Sequence, residues 1–170
     1  MSIEEFQDRI IPLKNRFFGL AYSMTSNSAE AEDLVQEAFI KLWNMRDRLR
    51  HIENLEGWCM RVLRNLAIDQ MRKKTPPTDP IEERWDLQAK TADPHQLTET
   101  QDEMQRIENL MLQLPDKQRT VIKLRDVQGY SYKEISETLD LPMSQVKVYL
   151  HRARQQMRKL LTQKLEQENA

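Results

Sequence analysis

The stretch that decides the fold is residues 131–154, which read Ser-Tyr-Lys-Glu-Ile-Ser-Glu-Thr-Leu-Asp-Leu-Pro-Met-Ser-Gln-Val-Lys-Val-Tyr-Leu-His-Arg-Ala-Arg. Ser131 and Glu134 have the spacing of a capping box, in which each side chain binds the other residue's backbone amide at a helix start. A turn around Asp140 and Pro142 follows, and Ser144 is placed to cap a second helix. A short helix, a tight turn and a longer helix in this order predict a helix-turn-helix.

The second helix of this motif is basic, because no acidic residue occurs from Leu141 to Leu165. Val146 and Leu150 predict its buried side. The residues at outward or marginal positions are Gln145, Lys147, Val148, Tyr149, His151, Arg152 and Arg154. Side chains near the start of such a helix can reach base edges in a major groove, and arginines can bind phosphates. The alternative is an ordinary helical pair with a solvated basic face.

The residues before this motif also predict helices. Pro115 and Asp116 can end one helix and begin another over residues 117–127, whose core side carries Val121, Leu124 and Val127. Gly129 suits the left-handed residue that ends a helix. We therefore expect a helical C-terminal domain over residues 104–170.

An acidic segment precedes this domain. Residues 75–103 hold two basic and eight acidic side chains, a net charge of −6, and four of the seven prolines. The flanking residues 1–74 and 104–170 carry net charges of +1 and +4. Prolines and charge without apolar periodicity are typical of a linker. The sequence thus predicts an all-α protein of two small helical domains joined by an acidic linker.

Three helices are predicted in residues 1–74. The first covers residues 3–24, and the second follows the cap residues around Asn27. The exposed side of the second helix carries an acidic row interrupted by an isoleucine, with Asp33, Gln36, Glu37 and Ile40. Such a row fits either a docking face for a partner or an ordinary solvated surface.

The third helix begins after Asn54, a possible cap, and ends near Lys74. One face carries Arg61, Arg64, Asn65, Ile68 and Arg72, followed by Lys73. About one arginine per turn suits phosphate binding, since each neutralised phosphate releases a counterion. The alternative for the terminal basic residues is that they only complement the helix dipole.

Composition argues against most enzyme classes. The single cysteine, Cys59, excludes a multi-thiolate metal site, and three glycines cannot form a glycine-rich phosphate loop. No apolar run approaches the roughly 20 residues of a membrane span, and Glu4 and Glu5 stand where a secretory signal would be basic. We expect a cytoplasmic protein without metal, cofactor, membrane insertion or enzymatic activity.

Several motifs resemble region 2 and region 4 of bacterial RNA polymerase sigma factors. Region 2 is represented by the sequence from Asp33 to Trp43 (Asp-Leu-Val-Gln-Glu-Ala-Phe-Ile-Lys-Leu-Trp) and the helix from Asn54 to Arg72. Region 4 is represented by residues 114–119, 129–135 and 146–154. Two regions joined only by a linker are typical of the extracytoplasmic-function (ECF) group.

The resemblance implies a role for each region. A helix of region 2 would dock on the clamp helices of the polymerase β′ subunit through Asp33, Gln36, Glu37, Ile40 and Lys41. The minus-ten element would be bound, and one base flipped out, by Arg50, His51, Ile52, Glu53, Asn54, Arg61, Arg64, Asn65, Asp69, Arg72 and Lys73. The duplex minus-thirty-five element would be read by Ser144, Gln145, Lys147, Val148, Tyr149, His151, Arg152 and Arg154.

The same resemblance implies contact of region 4 with the β flap and inhibition by an anti-sigma factor. The sequence departs from the family pattern at Asp140, where glycine is usual, and at Val148 and Tyr149, where serine and arginine are common. The residues leave two alternative functions open. A free-standing helix-turn-helix regulator would bind DNA without polymerase, and a helical adaptor would not bind DNA at all. The expected function is that of a sigma factor, which recruits core polymerase to specific promoters and supports DNA opening.

Overall fold

The computed structural model describes residues 1–74 and 99–170, with side chains described from Asp102 onward in the second range. These two ranges contain helices and no strand, which confirms the all-α prediction. The predicted linker lies almost entirely outside the described residues. Within the second described range, a helix begins at Glu99, ahead of the domain boundary expected at Met104.

Five helices form the N-terminal domain, and each boundary has a local cause. The helices are α1 (Ile3–Arg9), α2 (Lys14–Thr25), α3 (Ser28–Asn44), α4 (Arg46–Leu49) and α5 (Leu55–Lys74). The single helix expected over residues 3–24 is divided by a 3₁₀ turn, Ile11–Leu13, because Pro12 lacks the amide that a continuous helix needs. Asn27 caps α3, with its side chain accepting a hydrogen bond from the Glu30 amide at 3.1 Å.

The core of this domain lies between α2, α3 and α5. Phe17, Leu34 and Leu63 are almost completely buried there. Phe17 also packs on Phe39 at 5.3 Å between ring centroids. The buried residues of α3 and α5 recur at helical spacing, so each helix keeps its opposite face for other contacts.

Four helices form the C-terminal domain. They are α6 (Glu99–Met111), α7 (Asp116–Ile122), α8 (Tyr132–Leu139) and α9 (Met143–Glu168). The capping box of Ser131 and Glu134 is present at the start of α8. Asp140 ends α8 in the left-handed conformation at φ 53°, which an aspartate tolerates better than most residues. Together α8 and α9 form the predicted helix-turn-helix, with Ile135, Leu139, Val146 and Leu150 buried between them.

Two details of this domain differ from the sequence prediction. Helix α7 continues as a π turn, Lys123–Val127, and the wider turn rotates the following side chains. Val127 is therefore 60% exposed rather than part of the core. Helix α9 begins at Met143 with Pro142 at the cap position, so Ser144 lies within the first turn and does not cap it.

The two domains pack against each other through α2 with α7 and α5 with α8. Their buried apolar residues form one continuous cluster. Basic and acidic side chains of different domains therefore lie next to each other, as Arg16 and Glu134 do.

Candidate nucleic-acid interface

Helix α9 presents an open surface for DNA. The exposed predicted contact residues are Ser144, Gln145, Lys147, Val148, His151 and Arg152, while Tyr149 and Arg154 are half-buried. The buried residues Val146, Leu150, Ala153 and Met157 hold the opposite side of the helix on the domain. The core thus holds one side of the first three turns of α9, and the side chains on the opposite side reach solvent.

Arg154 differs from Arg152 in its surroundings. The Arg154 guanidinium forms a bidentate ion pair with Asp126 of the π turn, with Nε to Oδ2 at 3.0 Å and Nη2 to Oδ1 at 2.6 Å. Hydrogen bonding to Asp126 raises the pKa of Arg154. Arg152 makes no ion pair with any residue that the structure describes. Of these two arginines, Arg152 is the one whose charge is not balanced by a carboxylate among the described residues.

The basic stripe of α5 is divided between solvent and the domain interface. Arg61 donates through Nε to the Glu137 carbonyl at 3.2 Å, across the interface. Arg64 is half-buried, and burial lowers the pKa of its guanidinium, an effect that the Asp140 carboxylate partly offsets. Its Nε has no hydrogen-bond partner among the described residues. In the rest of the stripe Ile68 is half-buried, and Asn65, Arg72 and Lys73 are exposed, as is the neighbouring Asp69.

The loop before α5 is anchored at both ends. Leu49 is fully buried, and the Asn54 side chain accepts a hydrogen bond from the Gly57 amide at 3.0 Å, which confirms its predicted role as a helix cap. Between them His51 and Glu53 are exposed and Ile52 is half-buried. Arg50, also exposed, lies 3.6 Å from a Glu5 carboxylate oxygen. The loop thus exposes the polar side chains of Arg50, His51 and Glu53 just before α5 begins.

The predicted polymerase-binding row of α3 is fully accessible. Asp33, Gln36, Glu37, Ile40 and Lys41 are all exposed, and Ile40 exposes 63% of its surface. Beside the row, the Arg46 guanidinium lies 4.4 Å from the centroid of the Trp43 ring, a contact that the sequence analysis did not anticipate. A single exposed isoleucine is common on protein surfaces, so the geometry alone fits either a docking face or a solvated surface.

Contacts between the domains involve residues that sequence reasoning missed. Gln128 donates through Nε2 to the Gly19 carbonyl at 2.7 Å and to Ser23 Oγ at 2.8 Å. Arg16 binds Glu134 at 2.6 Å and lies 4.6 Å from the Tyr130 ring centroid. The only sequence signal for this interface was a glycine, Gly19, inside an otherwise regular helix.

The described residues offer neither a membrane-spanning helix nor a cluster of metal ligands. Among residues 1–74 and 99–170, no helix has the length and apolarity to cross a membrane. The same residues contain no cluster of three histidine, cysteine, aspartate or glutamate side chains suited to a metal ion.

Two family models match the chain in the order that the sequence motifs predict. The model of Sigma-70 region 2 matches residues 11–76, and that of Sigma-70 region 4 matches residues 104–157. The ECF RNA polymerase sigma factor SigW of Bacillus subtilis is 33% identical over 167 residues, which cover 93% of this chain and 89% of SigW. The chain belongs to the ECF sigma factor family. The ECF sigma factor SigE of Mycolicibacterium smegmatis is 31% identical over 86% of this chain and 58% of SigE.

Two solved structures resemble this one over both domains. The sigma factor RpoE of Bartonella quintana, in complex with the anti-sigma factor NepR, has a TM-score of 0.71 at 25% identity, covering 94% of this chain and 98% of RpoE. CnrH, in complex with the cytosolic domain of CnrY, has a TM-score of 0.64 at 20% identity over 95% and 90% of the two chains, and shares the fold.

As an ECF sigma factor, the protein binds RNA polymerase and directs transcription from specific promoters. The expected sigma-factor function is thereby confirmed. The region 2 match decides against a free-standing helix-turn-helix regulator and against an adaptor that does not bind DNA.

Proposed function

We propose a specific division of labour among the three surfaces of this sigma factor. The exposed row on α3 docks on the clamp helices of the polymerase β′ subunit. The loop from Arg50 to Asn54 and the stripe of α5 bind the minus-ten element and hold a flipped base, while α9 reads the minus-thirty-five element as a duplex and α6 to α9 contact the β flap. The polymerase performs the chemistry, in the cytoplasm, and the sigma factor supplies recognition and melting.

The observation that carries this proposal is the separation of an acidic surface on α3 from a basic surface on α9. The row on α3 combines acidic side chains with Ile40, while α9 is basic and free of acidic residues as far as Leu165. A negatively charged row repels DNA and suits a protein partner, whereas a basic helix attracts phosphates. Extruding a base costs only a few kcal/mol, which contacts from a short loop and one helix can supply.

We also propose that an anti-sigma factor inhibits the protein. RpoE was solved with the anti-sigma factor NepR, and this chain resembles RpoE along 94% of its length. An inhibitor that covers the α3 row or the stripe of α5 would block recruitment of polymerase or melting of the promoter.

Replacing Ile40 by aspartate tests the polymerase-binding surface. Its matched control is Ile3→Asp, because Ile3 is 59% exposed on α1 and lies outside the row. Ile40→Asp should weaken binding to core polymerase at least about tenfold, since apolar contacts at interface centres carry much of the binding energy. Ile3→Asp should bind like the wild type. Equal affinities of the two variants for core polymerase, measured by fluorescence anisotropy, would contradict the assignment.

A further inference from the structure

Val148 occupies the outermost point of α9. Its side chain is apolar, and the residue exposes 43% of its surface. Because an α-helix turns about 100° per residue, Val148 lies about 160° around the helix from the buried Val146 and Leu150. It lies about 180° from Met157, which is also buried. The side chain of Val148 therefore points away from the domain core.

Polar and basic side chains surround Val148 on this face. The residues three or four positions before and after it are all exposed: Ser144, Gln145, His151 and Arg152. No acidic residue occurs from Leu141 to Leu165. A single exposed valine is ordinary on a protein surface. What distinguishes Val148 is its place at the centre of a polar, basic helix face.

The fold fixes the direction of this side chain. Val146 and Leu150, two residues to either side, are buried and hold the backbone of α9 on the domain. Tyr149 is half-buried, and the Lys117 ammonium of α7 lies 5.9 Å from its ring centroid. Valine itself is branched at Cβ, which leaves one strongly preferred side-chain rotamer in a helix. Val148 thus presents a preorganised apolar surface at a defined position.

The shape of the major groove places such a residue over base edges. The groove is about 12 Å wide, and a helix with its side chains has a diameter of about 10–12 Å. The outermost residue of an inserted helix faces the floor of the groove, where the base edges lie, while residues on its flanks face the phosphates. Val148 therefore meets bases rather than phosphates when α9 enters a groove.

The chemistry of valine selects one base. Its side chain has no hydrogen-bond donor or acceptor. The apolar group that base pairs present in the major groove is the C5-methyl of thymine, and the other groups there are donors or acceptors. A valine packed on a polar base edge removes water from that edge and returns no hydrogen bond, which is unfavourable. A valine packed on a thymine methyl removes two apolar surfaces from water.

We propose that Val148 is a specificity-determining residue, which selects a thymine in the promoter by packing its methyl groups on the thymine C5-methyl. The proposal rests on the proposed reading of the duplex minus-thirty-five element by α9, and it adds the base and the atom that are recognised.

Removal of the thymine methyl alone tests this contact. The probe is a promoter duplex selected from a randomised library by holoenzyme, which is formed from core polymerase and the full chain. Each thymine of its upstream element, on either strand, is replaced in turn by deoxyuridine, which lacks only the C5-methyl. At one position the replacement should lower the affinity of the wild-type holoenzyme about fourfold, which corresponds to about 0.8 kcal/mol for one buried methyl-sized group.

A cycle between protein and DNA assigns the effect to Val148. Val148→Ala should weaken binding to the thymine duplex by at least about fourfold, and should reduce the cost of deoxyuridine at that position to less than about twofold. Alanine favours the helix and the position is exposed, so the variant should fold. Leu161→Ala is the matched control, because Leu161 is 40% exposed on the same helix, about 20 Å further along it. It should keep the wild-type affinity and the full effect of deoxyuridine.

A wild-type holoenzyme that tolerates deoxyuridine at every position would overturn the contact, as would an undiminished effect of deoxyuridine in Val148→Ala. Lys147→Ala and Arg152→Ala separate this failure from failure of the proposed function. If both variants weaken duplex binding while deoxyuridine has no effect on the wild type, α9 reads the duplex and the Val148 contact alone is wrong. If both bind the duplex like the wild type, the proposed role of α9 fails together with the contact.

Discussion

At the scale of single residues, two arginines on one helix are expected to act differently. Arg152 is exposed and Arg154 is held by Asp126. Arg152→Ala should reduce the slope of log affinity against log salt by about 0.9, the value of one lost phosphate contact. Arg154→Ala should change the slope less, because its charge is already balanced by a carboxylate. Duplex binding over a range of salt concentrations measures both slopes.

The pair Arg154 and Asp126 supplies the control for this prediction. Asp126→Asn should release the Arg154 guanidinium and make the slope steeper than in the wild type. If Arg152→Ala leaves the slope unchanged while altering base preference, Arg152 contacts a base edge and not a phosphate.

At the scale of secondary-structure elements, Glu134 connects the capping of α8 with the domain interface. Hydrogen bonding to Arg16 is the main cause that lowers the pKa of Glu134 below its ordinary value of 4.5. A carboxyl whose pKa is depressed by folding stabilises the folded state above its ordinary pKa. This contribution to the stability of the folded state is lost as the pH falls through the lowered pKa of Glu134. Glu134→Gln should therefore be less stable than the wild type at pH 7, and the difference should shrink below pH 4.5.

Thermal melts at several pH values test this expectation. Glu137→Gln is a suitable control, because Glu137 lies on the same helix and its side chain is outside the Arg16 ion pair. A difference between Glu134→Gln and the wild type that stays constant from pH 7 to pH 3.5 would contradict the linkage to Glu134.

The elements show how far the sequence could predict the fold. The capping box at Ser131, the cap at Asn54 and the helix end at Gly129 follow from local chemistry, and all three are present. Val127 was placed wrongly because a π turn has no reliable sequence signal and shifts the helical register. Ser144 was placed wrongly as a cap because Pro142 already fixes the backbone before α9.

The exposed faces of the candidate site could be predicted from the sequence, whereas burial against the other domain could not. Helical periodicity placed the row on α3 and the outward face of α9 on exposed surfaces, where the structure has them. Their functional roles stay predictions from resemblance. The partial burial of Arg64 could not be predicted, because it depends on α8, which is distant in sequence.

At the scale of the whole molecule, the two domains share one buried cluster and meet through polar contacts on α2 and α5. From its net charge of −6, we expect the acidic segment between them to compete with DNA for arginines at low salt. That expectation falls on residues 75–98, which lie outside the described residues. Among the described residues, the shared apolar cluster and the polar contacts of Arg16, Thr120 and Gln128 hold the two domains together.

The central claim is that this chain gives core RNA polymerase its promoter specificity. The most direct measurement is transcription in vitro by purified core polymerase over a randomised promoter library, with and without the protein. We expect transcripts only when the protein is present. They should come from templates that share two sequence elements separated by a fixed spacer. Transcripts of the same abundance and start sites with and without the protein would contradict it.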